Sequence, residues 1–335
     1  MLPPLNPSDL ILNVSPLPPI KLADALLDHA PILPPELIQG VLHQGSKMIM
    51  GGASKGRKSW MLLDLAVCVS EGLEWWGFNT TKTPTLYLNL EIQEAFAAKR
   101  LDWIKETHQL TALPNLKLWN LRGYAAGLDE LRPLISDQLA NHHVGLLILD
   151  PLYKMLGATE ENDNTDMAQM MNLLEAIAVQ HGCAVVFAHH FRKGGPGDSP
   201  SMDRMSGAGV LARDPDSIVT MQDHEEDNCV VVEPTLRNFP PQEPFGLRWE
   251  CPTFTREPDL DTSKIKGKAG AKALMNPNEL NGWMGKKEWG YNELVDEIME
   301  RHGVGNSTGK TVVRKAIKGG FIEKSPITAK YSLTI

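Results

Sequence analysis

The stretch "MIMGGASKGRKSW", residues 48–60, holds the side chains whose types and spacing most directly suggest chemistry. Glycines followed by a lysine and a hydroxyl residue, between an apolar strand and a helix, are what a phosphate group needs. Backbone N–H groups and the helix N-terminus face the phosphate oxygens, the lysine adds positive charge, and the hydroxyl can hold a divalent cation. The usual pattern is G-x-x-x-x-G-K-[ST], and here Arg57 stands where the second glycine belongs. Two registers fit. In the first, Gly52 starts the loop, Lys58 is the phosphate lysine and Ser59 the cation ligand, with Ala53, Ser54, Lys55, Gly56, Arg57 and Trp60 completing the site. In the second, Gly51 and Gly56 are the two glycines, Arg57 takes the lysine place and Lys58 the hydroxyl place. Only the first keeps both active side chains, and it is the preferred one. Arginine at 57 costs little there unless its φ is positive.

A phosphate loop that holds a cation needs a second acid. Asp150 closes the apolar run "VGLLILD", where such an acid is expected. Glu91 ends "LYLNLE", and a carboxylate at the C-terminal end of a parallel strand lies on the edge where ligands bind. It can orient and polarise an attacking water. His189 and His190 close "CAVVFAHH". No Cys, Asp or Glu stands near them at ligand spacing, so a polar sensor of the terminal phosphate is the better reading than a metal site. The Gly/Ser/Pro-rich stretch after them begins with Arg192 and Lys193 and reads as a mobile loop.

The elements that must position these residues follow from periodicity. Apolar strands over 83–91, 144–150 and 183–190 alternate with helical patterns over 58–72, 93–108, 128–143 and 165–182. A short strand is also expected at 116–121. That alternation predicts an α/β protein with a mainly parallel sheet covered on both faces. Residues 36–52 read as a strand, a turn and a second strand entering the loop, and 217–250 as three strands joined by short turns. Residues 1–30 are proline-rich and read as an extended arm, the α/β body spans 31–255, and 256–275 reads as a linker. Residues 276–335 carry two helical patterns and a two-strand wing. Asn306 or Ser307 could cap the second helix, and Gly319-Gly320 could end it.

Composition sets the class. The 335 residues are 42% hydrophobic with a net charge of −8, as expected of a globular protein, and no run is long enough to span a membrane. The N-terminus has neither a basic start nor an apolar core, so no secretory signal is expected. The four cysteines lack C-x-x-C spacing, and a reducing cytoplasm is the expected setting. Charge is uneven: from residue 264 onward thirteen Lys/Arg face seven Asp/Glu, against 20 and 34 before it. Any nucleic-acid contact is therefore expected to concentrate at the C-terminus or in local loops; a merely solvated lysine-rich tail is the alternative.

In this order, "GASKGRKSW", "LYLNLE", "LLILDPLYKMLG", "VVFAHHFRKG", "MSGAGVLARDPDSIV" and "LRNFPPQEPFGLRWE" resemble the RecA-type P-loop ATPases, and most closely the RepA-like hexameric plasmid and phage replicative helicases. The resemblance covers about residues 32–252. It implies ATP and Mg2+ at Lys58, Ser59 and Asp150, Glu91 as catalytic base, and His189 or His190 as sensor. It also implies a homo-oligomeric, hexameric ring in which an arginine finger reaches a neighbour's site, with Arg237 in "LRNF" the candidate and Arg213 and Arg204 its rivals. Single-stranded DNA would pass through the ring against Arg192 and Lys193. The C-terminal residues resemble a winged helix whose second helix exposes Lys310, Arg314, Lys315 and Lys318, while Val312, Val313, Ala316 and Ile317 suit its core. Such modules bind DNA or other proteins. The function implied is an ATP-hydrolysing DNA helicase or translocase in plasmid, phage or mobile-element replication. The alternatives are an ATP-switched DNA-binding regulator or loader, and a transcriptional regulator with a degenerate ATPase body.

Overall fold

The computed structural model describes residues 19–28, 32–53, 56–124, 127–155, 164–190, 210–211, 213–266, 280, 282–285, 287–303, 305–326 and 328–334. A short exposed helix, α1 (Ala23–Asp28), interrupts the arm expected to be extended. Strands β1 (Glu36–Ile38) and β2 (Leu42–His43) form a small antiparallel pair ahead of β3 (Lys47–Gly52), so the stretch expected to hold two strands holds three. The body continues through α2 (Lys58–Glu71), β4 (Thr85–Asn89), α3 (Glu94–Thr107), β5 (Leu116–Asn120), α4 (Leu128–His142) and β6 (Leu146–Asp150). Then follow α5 (Asn164–His181), β7 (Ala184–His190), β8 (Ser217–Asp223), β9 (Cys229–Leu236), β10 (Phe245–Glu250) and β11 (Thr253–Arg256).

Nine strands join in the order β11-β10-β9-β8-β3-β7-β6-β4-β5. The six from β8 to β5 are parallel, and β9 to β11 extend the sheet antiparallel. This is the α/β arrangement expected of a RecA-like P-loop core. Strand alternation divides the sheet into two apolar faces. Met48 and Met50, with Leu146 and Ile148, pack beneath α2; Ile49, Leu147 and Leu149 pack beneath α4 and α5. Both faces are covered, which is why these strands are apolar throughout.

The sequence reading ended the body at 255 and missed β11. Beyond it the chain does not leave the body at once. Leu260 is buried, the Glu257 N–H donates to Gly246 O at 3.0 Å, and the Lys266 N–H donates to Asp223 O at 2.7 Å. The polar composition of 256–266 reflects its position on a sheet edge.

The C-terminal part has its own core. Helices α6 (Tyr291–His302) and α7 (Asn306–Lys318) pack through Leu294, Val295, Ile298, Val312, Val313 and Ala316, next to the antiparallel strands β12 (Ile322–Lys324) and β13 (Tyr331–Leu333). Two expectations need correction. The residue before α7 is Gly305, extended at φ −77°, ψ 161°, so Asn306 lies inside the first turn and cannot cap it. Ile317 is exposed and lies outside that core, since Val313 and Ala316 already fill the buried stripe.

Candidate active site, a cleft at the phosphate loop

Strand β3 ends at Gly52, and the chain must turn sharply to enter α2. The Gly56 N–H donates to Ala53 O at 3.1 Å, and a Cβ on Gly56 would sit 2.9 Å from that oxygen. Glycine is therefore required at 56. Ser54 and Lys55 lie outside the described residues. Arg57 then adopts a left-handed conformation, φ 62° and ψ 19°, as the residue that caps α2. The positive φ is the condition under which a non-glycine is strained, by about 1–2 kcal/mol. Its side chain borders the cleft and extends to Asn228 and Trp249. Nη2 donates to Asn228 Oδ1 at 3.2 Å, and the guanidinium lies 5.0 Å from the Trp249 ring centroid.

Lys58, the first residue of α2, is buried and turns back into the loop. Its Nζ donates to Gly52 O at 3.0 Å and Ala53 O at 2.7 Å. Burial lowers its pKa to about 8, partly offset by the negative charges of Asp150 and Glu91. Lysine 58, and not Arg57, therefore reaches the loop, as in the first register.

Asp150 is buried at the end of β6. The Tyr87 hydroxyl donates to its Oδ2 at 2.5 Å, and the Ser59 hydroxyl also hydrogen-bonds it. Burial raises the Asp150 pKa; the bonds from Ser59 and Tyr87 and the Lys58 charge oppose this, and Glu91 adds to it. A hydroxyl and a carboxylate oxygen side by side are a donor set that suits Mg2+. On the neighbouring strand, the register of β4 against β6 sets Asn89 beside Asp150.

Glu91 lies two residues past β4 and is exposed. Buried Asn89 shapes the turn that presents it: Nδ2 donates to Ile92 O at 2.7 Å and Oδ1 accepts from the Ile92 N–H at 2.9 Å. Glu91, Lys58, Ser59 and Asp150 line one cleft of about 530 Å³, within the size range of small-molecule sites.

An AAA domain family model matches residues 14–196, more than half of the chain and inclusive of this cleft. The chain belongs to the AAA domain family. Among solved structures, a KaiC-like protein from the archaeon Pyrococcus horikoshii OT3 is similar over 66% of this chain and 94% of its own length, at 13% identity and a TM-score of 0.48.

The AAA domain places the remaining sequence candidates unevenly. His189 is buried and its backbone pairs with Gly51; the backbone of His190 pairs with Gly52, and its side chain lies outside the described residues. Trp60 borders the cleft. Arg237 is elsewhere. It follows β9, whose end Leu236 pairs with Ser217 at the start of β8, so it lies at the opposite edge of the sheet from Gly52. There it meets Asp216 at 3.5 Å and the Arg213 carbonyl oxygen. Arg192 and Lys193 lie outside the described residues. On α7, Arg314, Lys315 and Lys318 are exposed and Lys310 is half-buried.

Two cleft residues, Arg100 and Tyr153, and a buried one behind Asp150, Tyr87, are not assigned a role by the motifs. Tyr87 orients Asp150, and a tyrosine inside an otherwise apolar strand was a signal, because a buried hydroxyl needs a partner. Arg100 of α3 reaches the cleft with its guanidinium 4.6 Å from the Trp60 ring centroid, while Trp103 stacks on Trp60 at 6.2 Å. Tyr153, in a short 3-10 turn after β6, completes that side. No described helix is long and apolar enough to cross a membrane.

Proposed function

We propose that this AAA domain protein is an ATP-hydrolysing DNA helicase or translocase. The observation that carries the ATPase part is the convergence of Lys58, the Ser59–Asp150 pair and Glu91 on one cleft at the carboxyl edge of the sheet. Lys58 leaves the loop carbonyls for the β- and γ-phosphates of ATP. Ser59 and Asp150 would hold Mg2+ there, which would supply neutralisation of charge on the transferring phosphoryl group. Glu91 orients a water toward the γ-phosphorus and takes its proton as the bond to ADP breaks. His189 or His190, at the end of the strand beside the loop, senses the terminal phosphate. Arg100 and Trp60 offer a flat cationic and aromatic surface against which the nucleotide base can rest.

The DNA and ring parts rest on separate features. Arg314, Lys315 and Lys318 form an exposed basic face on α7, as a recognition helix of a winged-helix domain over about 276–335 would present. Arg192 and Lys193 are the candidates for single-stranded DNA. Ile20, Leu22 and Leu27 of the N-terminal arm, and Ile32 and Leu33 just after it, are exposed, which suits docking on a neighbouring copy in a homo-oligomer, a hexamer by family resemblance. Arg237, at the far edge of its own sheet, is then offered to the neighbour's cleft. ATP hydrolysis measured with and without single-stranded DNA, beside a mass measurement of the assembly, tests this reading. Strong stimulation by DNA in an oligomer is expected; a monomer without stimulated turnover overturns the helicase. An ATP-switched, duplex-binding loader is the second reading, favoured by the basic face of α7, and it predicts duplex binding without unwinding.

A further inference from the structure

Away from the cleft, two turns along α2, three side chains of different chemistry meet. Asp64 and Cys68 stand four residues apart on α2, hence on one helix face. His108 closes α3 as its C-terminal cap and turns its ring toward them. His108 Nε2 lies 2.7 Å from Asp64 Oδ1 and 3.7 Å from Cys68 Sγ, and Cys68 Sγ lies 4.0 Å from the same carboxylate oxygen. Asp64 and Cys68 are buried, while the His108 side chain is 22% exposed.

These separations match what one ion would ask. Metal bonds of ordinary length to sulfur, imidazole nitrogen and carboxylate oxygen, at tetrahedral angles, hold the donor atoms about 3.3–3.6 Å apart. The two sulfur separations are near that range, and the Asp64–His108 pair need open by only about half an ångström. A thiolate, a carboxylate and a neutral imidazole balance a divalent ion to zero net charge, which suits a buried place. Without a cation, burial pushes both the Asp64 carboxyl and the Cys68 thiol up from their ordinary values. A carboxylate and a serine, as at the cleft, suit magnesium; a thiolate with an imidazole selects a softer ion.

We propose that Asp64, Cys68 and His108 bind one zinc-class divalent ion per chain, with solvent on the exposed His108 side as fourth ligand. Binding is coordination without electron transfer. Cys68 gives its thiol proton to solvent and donates a sulfur lone pair, and His108 binds through a deprotonated Nε2 with its remaining proton on Nδ1. The ion cross-links α2, whose first residues are Lys58 and Ser59, to the end of α3, whose start follows Glu91. It thereby braces the two helices that flank the cleft.

The test uses the full chain stripped with EDTA, in a Cys251→Ser background because Cys251 is exposed and could bind ions by itself. Co2+ is added in the presence of excess Mg2+ and ATP, and thiolate-to-cobalt charge-transfer absorbance is read. One Co2+ per chain with this absorbance is expected, displaced by Zn2+. Cys68→Ser should abolish the absorbance, and His108→Ala should weaken cobalt binding by about tenfold or more. Zn2+ should raise the melting temperature of the Cys251→Ser protein and leave that of His108→Ala unmoved. Absence of the absorbance, or its persistence in Cys68→Ser, overturns the proposal. Failure of ATP hydrolysis would not produce either result, because the cleft contains no thiol among its lining residues.

Discussion

One buried lysine starts β3 and another, Lys58, lies past the end of that strand at the start of α2, and the two have different surroundings. At the start of the strand, Lys47 Nζ meets Glu175 Oε2 at 2.8 Å and the carboxylate of Asp214, and its backbone N–H donates to Asp216 Oδ2 at 3.0 Å. Eleven residues later Lys58 hydrogen-bonds loop carbonyls, and burial lowers its pKa to about 8. The first lysine is already neutralised and ties α5 and the segment before β8 to the sheet. The second hydrogen-bonds carbonyls of the loop and has its pKa lowered by burial, so an incoming polyphosphate would favour its charged form. The contrast separates a cation that maintains structure from one poised for a ligand.

Mutation sharpens the contrast. Lys58→Ala should reduce ATP turnover by about 100-fold or more, with the folded protein intact, as measured by phosphate release. Glu91→Gln should cost about 100-fold in turnover while leaving nucleotide affinity nearly unchanged, seen by equilibrium binding of ATP. Lys47→Ala should do the reverse. It should lower stability by about 2–3 kcal/mol in urea, discounted because Glu175 stays partly in water, and leave the nucleotide affinity of the folded fraction unchanged. Equal loss of turnover per folded molecule in Lys47→Ala would erase the distinction between the two lysines.

The pH dependence follows from the same lysine. Bound phosphates favour its charged form, so ATP should bind with proton uptake near pH 8, and affinity should fall above that by up to about tenfold per pH unit. Calorimetry in buffers of different ionisation enthalpy measures the uptake, and Lys58→Met should abolish it. In the nucleotide-free chain the folded pKa, about 8, lies below the ordinary 10.5. The unfolded chain binds this proton more tightly, so the contribution of Lys58 to stability rises with pH across that window. The smallest effect is expected of Arg57→Gly. Relief of its left-handed conformation is offset by loss of the Asn228 bond and the Trp249 contact, so stability should move by less than about 1 kcal/mol and ATP affinity by less than about threefold.

Much of this was legible because the strands and helices carry strong periodic signals. The alternation of "LYLNLE", "VGLLILD" and "CAVVFAHH" with amphipathic helices could hardly build anything but a covered parallel sheet, and strand ends placed Asp150 beside the loop. What escaped the reading depends on contacts between distant segments. Arg100 borders the cleft and Tyr87 meets Asp150 only once α3 and β4 are set against β6, and no local pattern reports that. β11 was missed because four residues after a cis-proline-containing turn give too short a pattern, and 256–266 looked like linker because an edge segment needs few apolar residues. Arg237 shows the limit most plainly: its sequence position after a late strand says nothing of which edge of the sheet that strand ends on.

Arg57 also has a bearing on how such loops are found. A search written as a string of letters, with glycine demanded before the lysine, passes over this chain. What the backbone asks at that point is one left-handed residue followed immediately by a helix. An arginine satisfies it when an asparagine on a neighbouring turn and an indole on an adjoining strand give its long side chain a resting place. Relatives that vary at this position should therefore vary with it at the partners of 228 and 249, and a pair of substitutions far apart in the chain becomes the readable mark of the loop.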